Sequence, residues 1–430
     1  MLTGSYRKRL EADLIRWTDD GLLSADSAGA IRRSVAAQHS GFGLPALLGL
    51  LGGLLIASSV AAFVAANWEE IPRLAKLGMI LAGIAVCFGL AFRLERGGSP
   101  RGSDAAVTCG VLIFGAGIAL VGQMYHLPAD WPAGAVLVAL GGLAAAFLMR
   151  SSGALAIALV AICAWSFGRW EEARGGAHFE FFILYLPALW LALSRNNRLI
   201  HHLVVLAGLF WVGTAPGYWL FYRFDYGLLA YGLAVSAVYV ALGAIALDRG
   251  GLGLLTACLP WGLLGLLLIL NAELVRILDN DEARSGRAFL FVFYAYAVAV
   301  PLTIFAGVTA RDRRFAWPLA AALLLALLVP AVFWSGIVTG MVGKIIVASL
   351  VLLAATALMA AGAIGGVRRL TMAGSVLFGV AILILLWQTI GTLLDQSLFF
   401  LVAGAALLAV ASAARRLFAR LSPPVEKEAA

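Results

Sequence analysis

The stretch FAWPLAAALLLALLVPAVFW, residues 315–334, contains no charged side chain and follows Arg311, Arg313 and Arg314. A bilayer core roughly 30 Å thick needs about 20 apolar residues for one helical crossing, so this stretch is long enough to span it. Arginines beside such a stretch are typical of its cytoplasmic end. Similar stretches recur along the chain, and together they predict an all-α integral membrane protein.

The composition agrees with this fold class. Of 430 residues, 62% are hydrophobic and 13% are charged, and the mean hydropathy is +0.96. The net charge of +8 would favour a nucleic-acid partner in a soluble protein, but in a membrane protein basic residues mark cytoplasmic loops. We therefore expect membrane lipid as a partner and no nucleic acid, and the sequence names no protein partner.

Apolar stretches bounded by charge, Gly or Pro predict about fourteen transmembrane helices. If two short stretches are re-entrant, twelve full crossings remain. The first apolar stretch is expected to be a retained helix and not a cleaved signal, because residues 1–42 precede it. The stretches fall near residues 43–66, 74–92, 105–122, 133–149, 153–168, 179–193, 200–220, 226–247, 251–271, 289–309, 315–334, 342–364, 370–391 and 397–413.

The basic residues indicate the orientation of these helices. With the N-terminus in the cytoplasm, 22 Lys and Arg residues fall on the inner side and 9 on the outer side. Because basic residues concentrate in cytoplasmic loops, this asymmetry predicts that both termini are cytoplasmic. A multi-pass membrane protein with both termini in the cytoplasm is the expectation.

The N-terminal segment, residues 1–42, is predicted to be a short cytoplasmic helical hairpin. Two apolar stripes with helical spacing flank a break at Gly21, and Ser24 is a suitable N-cap for the second helix. The hairpin either packs on cytoplasmic loops or binds a partner. The remaining predicted regions are residues 43–150, which hold helices one to four, residues 151–314, which hold helices five to ten, residues 315–413, which hold the last four helices, and the cytoplasmic tail 414–430.

The predicted outer loops carry the candidate functional residues. Glutamates, a histidine and an aspartate there could form a metal site or an acid and base pair, because histidine titrates near neutrality and pairs with carboxylates. The alternative is that the aromatic residues anchor the interface and the carboxylates cap helices. A third outer loop adds Glu171, Glu172, His178 and Glu180. The candidate site consists of Asn67, Trp68, Glu69, Glu70, Gln123, Tyr125, His126 and Asp130, with no cofactor or metal ion assigned.

Two motifs in these loops carry a family resemblance. FVAANWEEIPR at residues 63–73 and GAGIALVGQMYHLP at residues 115–128 resemble the predicted bacterial membrane proteins called domain of unknown function 2157. The resemblance extends over about residues 5–150. It implies a multi-pass membrane protein without an assigned activity, so it supplies no catalytic residues.

An internal repeat is a further hypothesis. Phe378-Gly379 lies 264 residues after Phe114-Gly115, and Gln388 and Asp395 each lie 265 residues after Gln123 and Asp130. The last four predicted helices would then repeat the first four, as in transporters whose substrate sites lie between repeats. Gln388 and Asp395 would join the candidate outer site.

Three classes of function are compatible with the sequence. The first is a transporter or flippase for a hydrophobic or lipid-linked envelope substrate, favoured by the number of helices, the repeat and prolines within the helices. The second is an outer-face enzyme acting on a lipid-linked substrate, and the third is a structural or regulatory membrane module. Charges fall at the segment ends, so Lys76, Glu180, Glu273 and Lys344 are expected to snorkel to the interface.

Overall fold

The structure is a computed structural model that describes residues 4–37, 71–126, 130–172, 177–195, 197–215, 227–251, 253–279, 289–334 and 340–389. Within these ranges the chain forms fourteen helices and no strand. The helices are α1 Gly4–Asp19, α2 Ala25–Ala37, α3 Arg73–Arg96, α4 Pro100–Met124, α5 Trp131–Met149, α6 Ser152–Glu172, α7 Phe181–Leu193, α8 Arg198–Thr214, α9 Gly227–Arg249, α10 Gly253–Asp279, α11 Phe289–Thr309, α12 Arg313–Trp334, α13 Gly340–Ile364 and α14 Arg368–Thr389.

Ten of these helices, α3 to α6 and α9 to α14, are long and apolar enough to cross a membrane. The prediction of an all-helical, multi-pass membrane protein is confirmed. Helices α7 and α8 are apolar but shorter, with 13 and 17 residues. The predicted crossings at 43–66 and 397–413 and the tail at 414–430 lie outside the described residues. The number of fourteen crossings and their orientation stay predictions.

The first two helices form the expected hairpin. Gly21 has a φ of +72° in the turn between them, and the Ser24 hydroxyl accepts a hydrogen bond from the Ser27 backbone N–H at 3.2 Å. Arg32 of α2 pairs with Glu11 of α1 at 2.9 Å. Ser24 thus caps α2 as the sequence predicts, whereas a cytoplasmic position of the hairpin stays a prediction.

The apolar side chains of α3 to α14 form two main clusters. The first cluster contains residues of α3 to α8, and the second contains residues of α9 to α14. Helices α5 and α6 pack closely in the first, and α9 with α10 and α12 with α13 in the second. Helix α10 also contacts α8, so it joins the two groups of helices.

The helix connections divide between two ends of the bundle that α3 to α14 form. Asp104 of α4 contacts Ser151, which precedes α6, and Asp248 at the end of α9 accepts the backbone N–H groups of Arg311 and Asp312. We call this the basic end. The arginines at the helix termini and connections of this end are Arg93, Arg96, Arg101, Arg150, Arg195, Arg198, Arg249, Arg311, Arg313, Arg314, Arg368 and Arg369.

Prolines interrupt four of the helices that follow. Pro187, Pro260 and Pro301 lie inside α7, α10 and α11, and α12 contains both Pro318 and Pro330. A proline lacks a backbone N–H, so it removes one helical hydrogen bond and favours a bend. The prediction of prolines within the helices is confirmed for the described helices, and Pro216, a further proline predicted within a helix, lies outside the described residues.

The expectation that charged side chains snorkel to the interface is wrong for Glu273. Its exposed fraction is 0%, and it pairs with Arg276 one turn further along α10. Lys344 is half-buried and donates to a backbone carbonyl of α10, and Lys76 is buried. Glu180 is exposed, as expected. Partners within the protein remove the need for Glu273 and Lys344 to reach water.

Candidate functional site

Asp130, in the predicted outer site, caps a helix. Its carboxylate accepts the Ala133 backbone N–H at 3.0 Å and binds an Arg169 guanidinium nitrogen at 2.9 and 3.1 Å. The hydrogen bond from Ala133, followed by the one from Arg169, lowers the pKa of the Asp130 carboxyl. Asp130 is thus an ionised N-cap of α5 whose charge Arg169 balances.

His126 lies just after α4 and is exposed. Its Nδ1 is 2.9 Å from the Gln123 carbonyl oxygen, and because a carbonyl only accepts, Nδ1 donates. Gln123 and Tyr125 occupy the same helix end, and both are exposed. Among the residues with described positions, no three His, Cys, Asp or Glu side chains are close enough to hold a metal ion.

The other half of the predicted outer site lies outside the described residues. Asn67, Trp68, Glu69 and Glu70 belong to the range 38–70, whose structure is not described. Their proposed meeting with the residues that follow α4 stays a prediction.

The proposed repeat also stays a prediction. Gln388 is exposed near the end of α14 and lines an open depression of about 320 Å³ with Trp387 and Val275 of α10. Its proposed companion Asp395 lies outside the described residues.

His178 of the third outer loop has a defined packing environment. Its ring lies edge-on to Trp165, with 4.6 Å between ring centres, and its Nδ1 is 3.3 Å from the Ser166 hydroxyl. The backbone carbonyl of His178 accepts the Trp211 indole N–H at 2.8 Å. Burial lowers the pKa of His178 because it disfavours the charged imidazolium. His178 therefore serves packing, and it contacts Glu180 at 3.5 Å.

A larger polar feature lies at the basic end. It is a cavity of about 640 Å³ between the start of α8, the end of α9 and the starts of α10 and α14. We call it the basic cavity. Because α8 belongs to the first apolar cluster and the other helices to the second, the cavity lies between the two groups of helices. Its walls are formed by Arg198, His201, His202, Leu247, Gly251, Gly253, Thr256, Ala257, Leu259, Val367, Arg368 and Arg369.

The charge of the basic cavity is positive. Arg198, Arg368 and Arg369 are exposed, and none of them forms an ion pair with a carboxylate within the described part of the chain. Three helices, α8, α10 and α14, begin at the cavity, and a helix N-terminus presents unpaired N–H groups and a partial positive charge. No Asp or Glu is among the lining residues that the structure describes.

His201 is the buried polar group of this cavity, with an exposed fraction of 6%. Its Nε2 lies 3.0 Å from the Arg195 carbonyl oxygen and therefore carries the proton. Its Nδ1 has no hydrogen-bond partner among the described residues. This nitrogen faces Gly253, where a Cβ would approach it to 2.8 Å, so glycine is required there.

A network of hydrogen bonds fixes the position of His201. The Arg195 guanidinium donates to the Ser151 carbonyl at 2.6 Å and to the Ala146 carbonyl at 2.5 Å. The Ser151 hydroxyl donates to Asp104 at 2.5 Å and accepts the backbone N–H of α6 that would otherwise lack a partner. The wall that carries His201 is therefore tied to α4, α5 and α6.

His202 has a defined proton position as well. The Trp261 indole N–H donates to His202 Nδ1 at 3.1 Å, so Nδ1 accepts and the proton of the neutral ring lies on Nε2. This Nε2–H is a hydrogen-bond donor on a ring that lines the cavity.

The sequence prediction placed the candidate site at the opposite end and missed the basic cavity. The signal was present, because His201-His202 and Arg368-Arg369 each stand at the beginning of a predicted helix. What the sequence lacks is the proximity of these pairs, which are separated by more than 160 positions and which only the packing of α8, α10 and α14 brings together.

Comparison with known proteins gives one match. No curated protein and no solved structure matches the chain. A family model described as predicted membrane protein, domain of unknown function 2157, matches residues 15–155. The resemblance of the two loop motifs is thereby confirmed, and the chain is a multi-pass helical membrane protein of uncharacterised function whose N-terminal third matches this family.

Proposed function

We propose that this protein is a transporter or flippase of the bacterial inner membrane that moves a hydrophobic or lipid-linked substrate. The basic cavity between the two groups of helices is the observation that carries the proposal. Transporters place their substrate sites between helix groups that move against each other, and the basic cavity lies between two groups of helices, which supports this proposal.

The size and lining of the cavity suit an amphipathic substrate. Ligand sites commonly have volumes of about 300–1,000 Å³, and the basic cavity has about 640 Å³. Arg198 and Arg369 supply charge, while Leu247, Leu259 and Val367 supply apolar surface. A polar head and an apolar chain can both find contacts there.

Helix α10 provides a point at which the cavity could change shape. Pro260 lies inside this helix, between Leu259, which lines the cavity, and Trp261, which binds His202. A proline frees the carbonyl one turn earlier and lets a helix bend, which is the kind of motion that transport requires.

The described part of the predicted outer site supports an enzyme less well. Asp130 already caps α5 and pairs with Arg169. His126 is bonded to the carbonyl of Gln123. Neither group is arranged as an acid or base toward an open site, so transport is the function that the described residues favour.

The proposal is tested with full-length protein in lipid vesicles that carry a trace of fluorescent phosphatidylglycerol or phosphatidylcholine. Dithionite quenches only labels in the outer leaflet, so lipid movement is measured as loss of the protected fraction. We expect the wild type to move at least one of these lipids faster than protein-free vesicles do. Thr256→Trp, which would fill the cavity from α10, should slow this movement.

The matched control is Thr356→Trp, at a threonine of α13 that does not line the cavity. A wild type that moves neither lipid would contradict the proposal of a flippase for membrane lipids. Equal slowing by both tryptophan variants would remove the basic cavity from the transport route.

A further inference from the structure

We infer that the basic cavity binds the phosphate group of an anionic amphiphile, with Arg198, Arg368 and Arg369 as its charged ligands. This inference deepens the proposed function and rests on it for the view that the cavity holds a substrate. It names the substrate class, which neither the sequence motifs nor the family match supplies.

The charge of the basic cavity favours an anion. Three guanidinium groups line the cavity without an acidic residue beside them, and no carboxylate in the described ranges neutralises them. The starts of α8, α10 and α14 add three partial positive charges to the same space, and the end of α9 adds one partial negative charge. A cation would be repelled from this cavity, whereas an anion would replace the missing counter-charges.

The histidines of the basic cavity add hydrogen-bonding groups to this charge. His201 is more than nine-tenths buried, and its Nδ1 lacks a partner among the residues with described positions. His202 offers an Nε2–H, because Trp261 occupies its Nδ1. A phosphate oxygen can accept from this Nε2–H, whereas His201 Nδ1 is closed against Gly253 and belongs to the wall of the cavity. The His202 ring, held by Trp261, thus adds a directed donor to the three guanidinium groups and the helix termini.

The number of arginines favours a phosphate group over a carboxylate. Guanidinium groups bind phosphate through paired hydrogen bonds, and a phosphate monoester or diphosphate has enough oxygens and charge for several arginines. One carboxylate carries one charge and would leave the remaining arginines without a counter-ion. The apolar surface of Leu247 and Leu259 beside the arginines accommodates an acyl or prenyl chain, which a free phosphate lacks.

The test measures binding separately from transport. Full-length protein in neutral detergent is titrated with inorganic phosphate and with pyrophosphate, and protein in nanodiscs is compared in phosphatidic acid and phosphatidylcholine. A ligand that binds only the folded state raises the melting temperature in a concentration-dependent way. We expect phosphatidic acid to raise it, alone or together with pyrophosphate, and phosphatidylcholine not to.

The diagnostic variant is Arg368→Gln/Arg369→Gln, and its matched control is Arg313→Gln/Arg314→Gln, an exposed arginine pair that starts α12 at the same end of the bundle. We expect the half-saturating concentration to rise about tenfold or more in the first variant and to stay unchanged in the control, because each tenfold change corresponds to about 1.4 kcal/mol. Arg198→Gln is the second variant, should the double substitution prevent folding.

Stabilisation by phosphatidic acid alone identifies a lipid head group and supports the inference. Stabilisation by both the lipid and the free anions supports phosphate recognition. Stabilisation by free phosphate or pyrophosphate alone overturns the amphiphile. Failure of every probe, or an equal effect of the two arginine pairs, overturns the site. Lipid movement that does not depend on Arg368 and Arg369 would overturn the inference and leave the proposed function. Phosphate binding without lipid movement would overturn the proposed function and leave the inference.

Discussion

Glu273 and Arg276 form a nearly dry ion pair on a single helix. The carboxylate has an exposed fraction of 0% and the guanidinium side chain one of 10%, and their closest atoms are 2.5 Å apart. A second hydrogen bond of 3.0 Å makes the contact bidentate. Burying either charge without the other is costly, so the two residues act as one unit.

Removing the arginine should therefore destabilise the protein more than removing both charges. We expect Arg276→Met to lower the free energy of unfolding by about 3–5 kcal/mol, because it leaves Glu273 buried without a counter-charge. The double variant Glu273→Leu/Arg276→Met should recover most of this loss. Denaturation in detergent measures both. A double variant that is less stable than Arg276→Met would contradict the expectation.

His178 gives a pH dependence. Burial lowers its folded pKa below the unfolded value of about 6.5, so between these two values the unfolded chain binds more protons. Stability should therefore fall as the pH drops from 6.5 toward the folded pKa. We expect the melting temperature to fall less over this range in His178→Gln than in the wild type.

The control is His126→Gln, because His126 is exposed. This variant should follow the wild-type pH profile. An identical profile for His178→Gln and the wild type would show that His178 does not contribute to the pH dependence.

Helices α13 and α14 approach each other closely where glycine removes the side chain. A Cβ on Gly362 would lie 2.3 Å from the backbone nitrogen of Thr371, and one on Gly374 would lie 2.7 Å from that of Met359. Both obstacles are backbone atoms, which cannot move without moving a helix. Small residues at such positions are a common basis of helix association in membranes.

Gly362→Ala should therefore separate the two helices and lower the free energy of unfolding by about 1–3 kcal/mol. Gly379→Ala, in α14, is the matched control, because no atom of the described residues lies within 4 Å of its Cβ position. There alanine should be neutral or stabilise by up to about 1 kcal/mol through helix propensity. Equal stability of the two variants in chemical denaturation would contradict the close approach.

At the scale of whole helices, the sequence predicts most of the fold. Apolar stretches bounded by charges locate the long helices, because in lipid a helix must satisfy its own backbone. The support of α6 by Asp104 was not predictable, because Asp104 and Ser151 are 47 positions apart and their contact depends on tertiary packing. The burial of Glu273 could have been predicted more easily, because Arg276 follows it at helical spacing and can pair with it.

The whole molecule has an uneven distribution of charge between the two ends of its helices. The basic end carries the arginines of six helix connections, from Arg96, the last residue of α3, to Arg368, the first residue of α14. Among the described residues, the opposite end carries five basic residues. Arg73 and Lys76 lie in the first turn of α3, and Arg169, Arg276 and Lys344 each have a partner within the protein. The positive-inside tendency therefore predicts that the basic end faces the cytoplasm.

Cysteine labelling tests this orientation in a background without the four native cysteines. Arg101→Cys lies at the basic end and Glu180→Cys at the opposite end, and both positions are exposed. A membrane-impermeant maleimide should label Glu180→Cys in intact spheroplasts and Arg101→Cys only after permeabilisation. The reverse pattern would invert the orientation and place the basic cavity on the outer side.

The location of the site was the least predictable property of the whole molecule. The outer loops were candidates because His126 and Asp130 lie four positions apart in the sequence. The basic cavity combines residues of α8, α9, α10 and α14, which no sequence spacing connects. Charge alone marked its arginines as cytoplasmic anchors, and only their convergence on one cavity indicates a ligand.

The hydrogen bond between His201 and the Arg195 carbonyl has a mechanical consequence. Through Arg195, this histidine is hydrogen-bonded to the helices of the first group. Arg368 and Arg369, in contrast, belong to α14 in the second group. An anion bound by Arg198 of α8 and by Arg368 and Arg369 of α14 would hold the two groups of helices together. Separation of the two groups of helices and release of the ligand would then occur together. The ligand-bound protein should therefore be more rigid than the ligand-free protein.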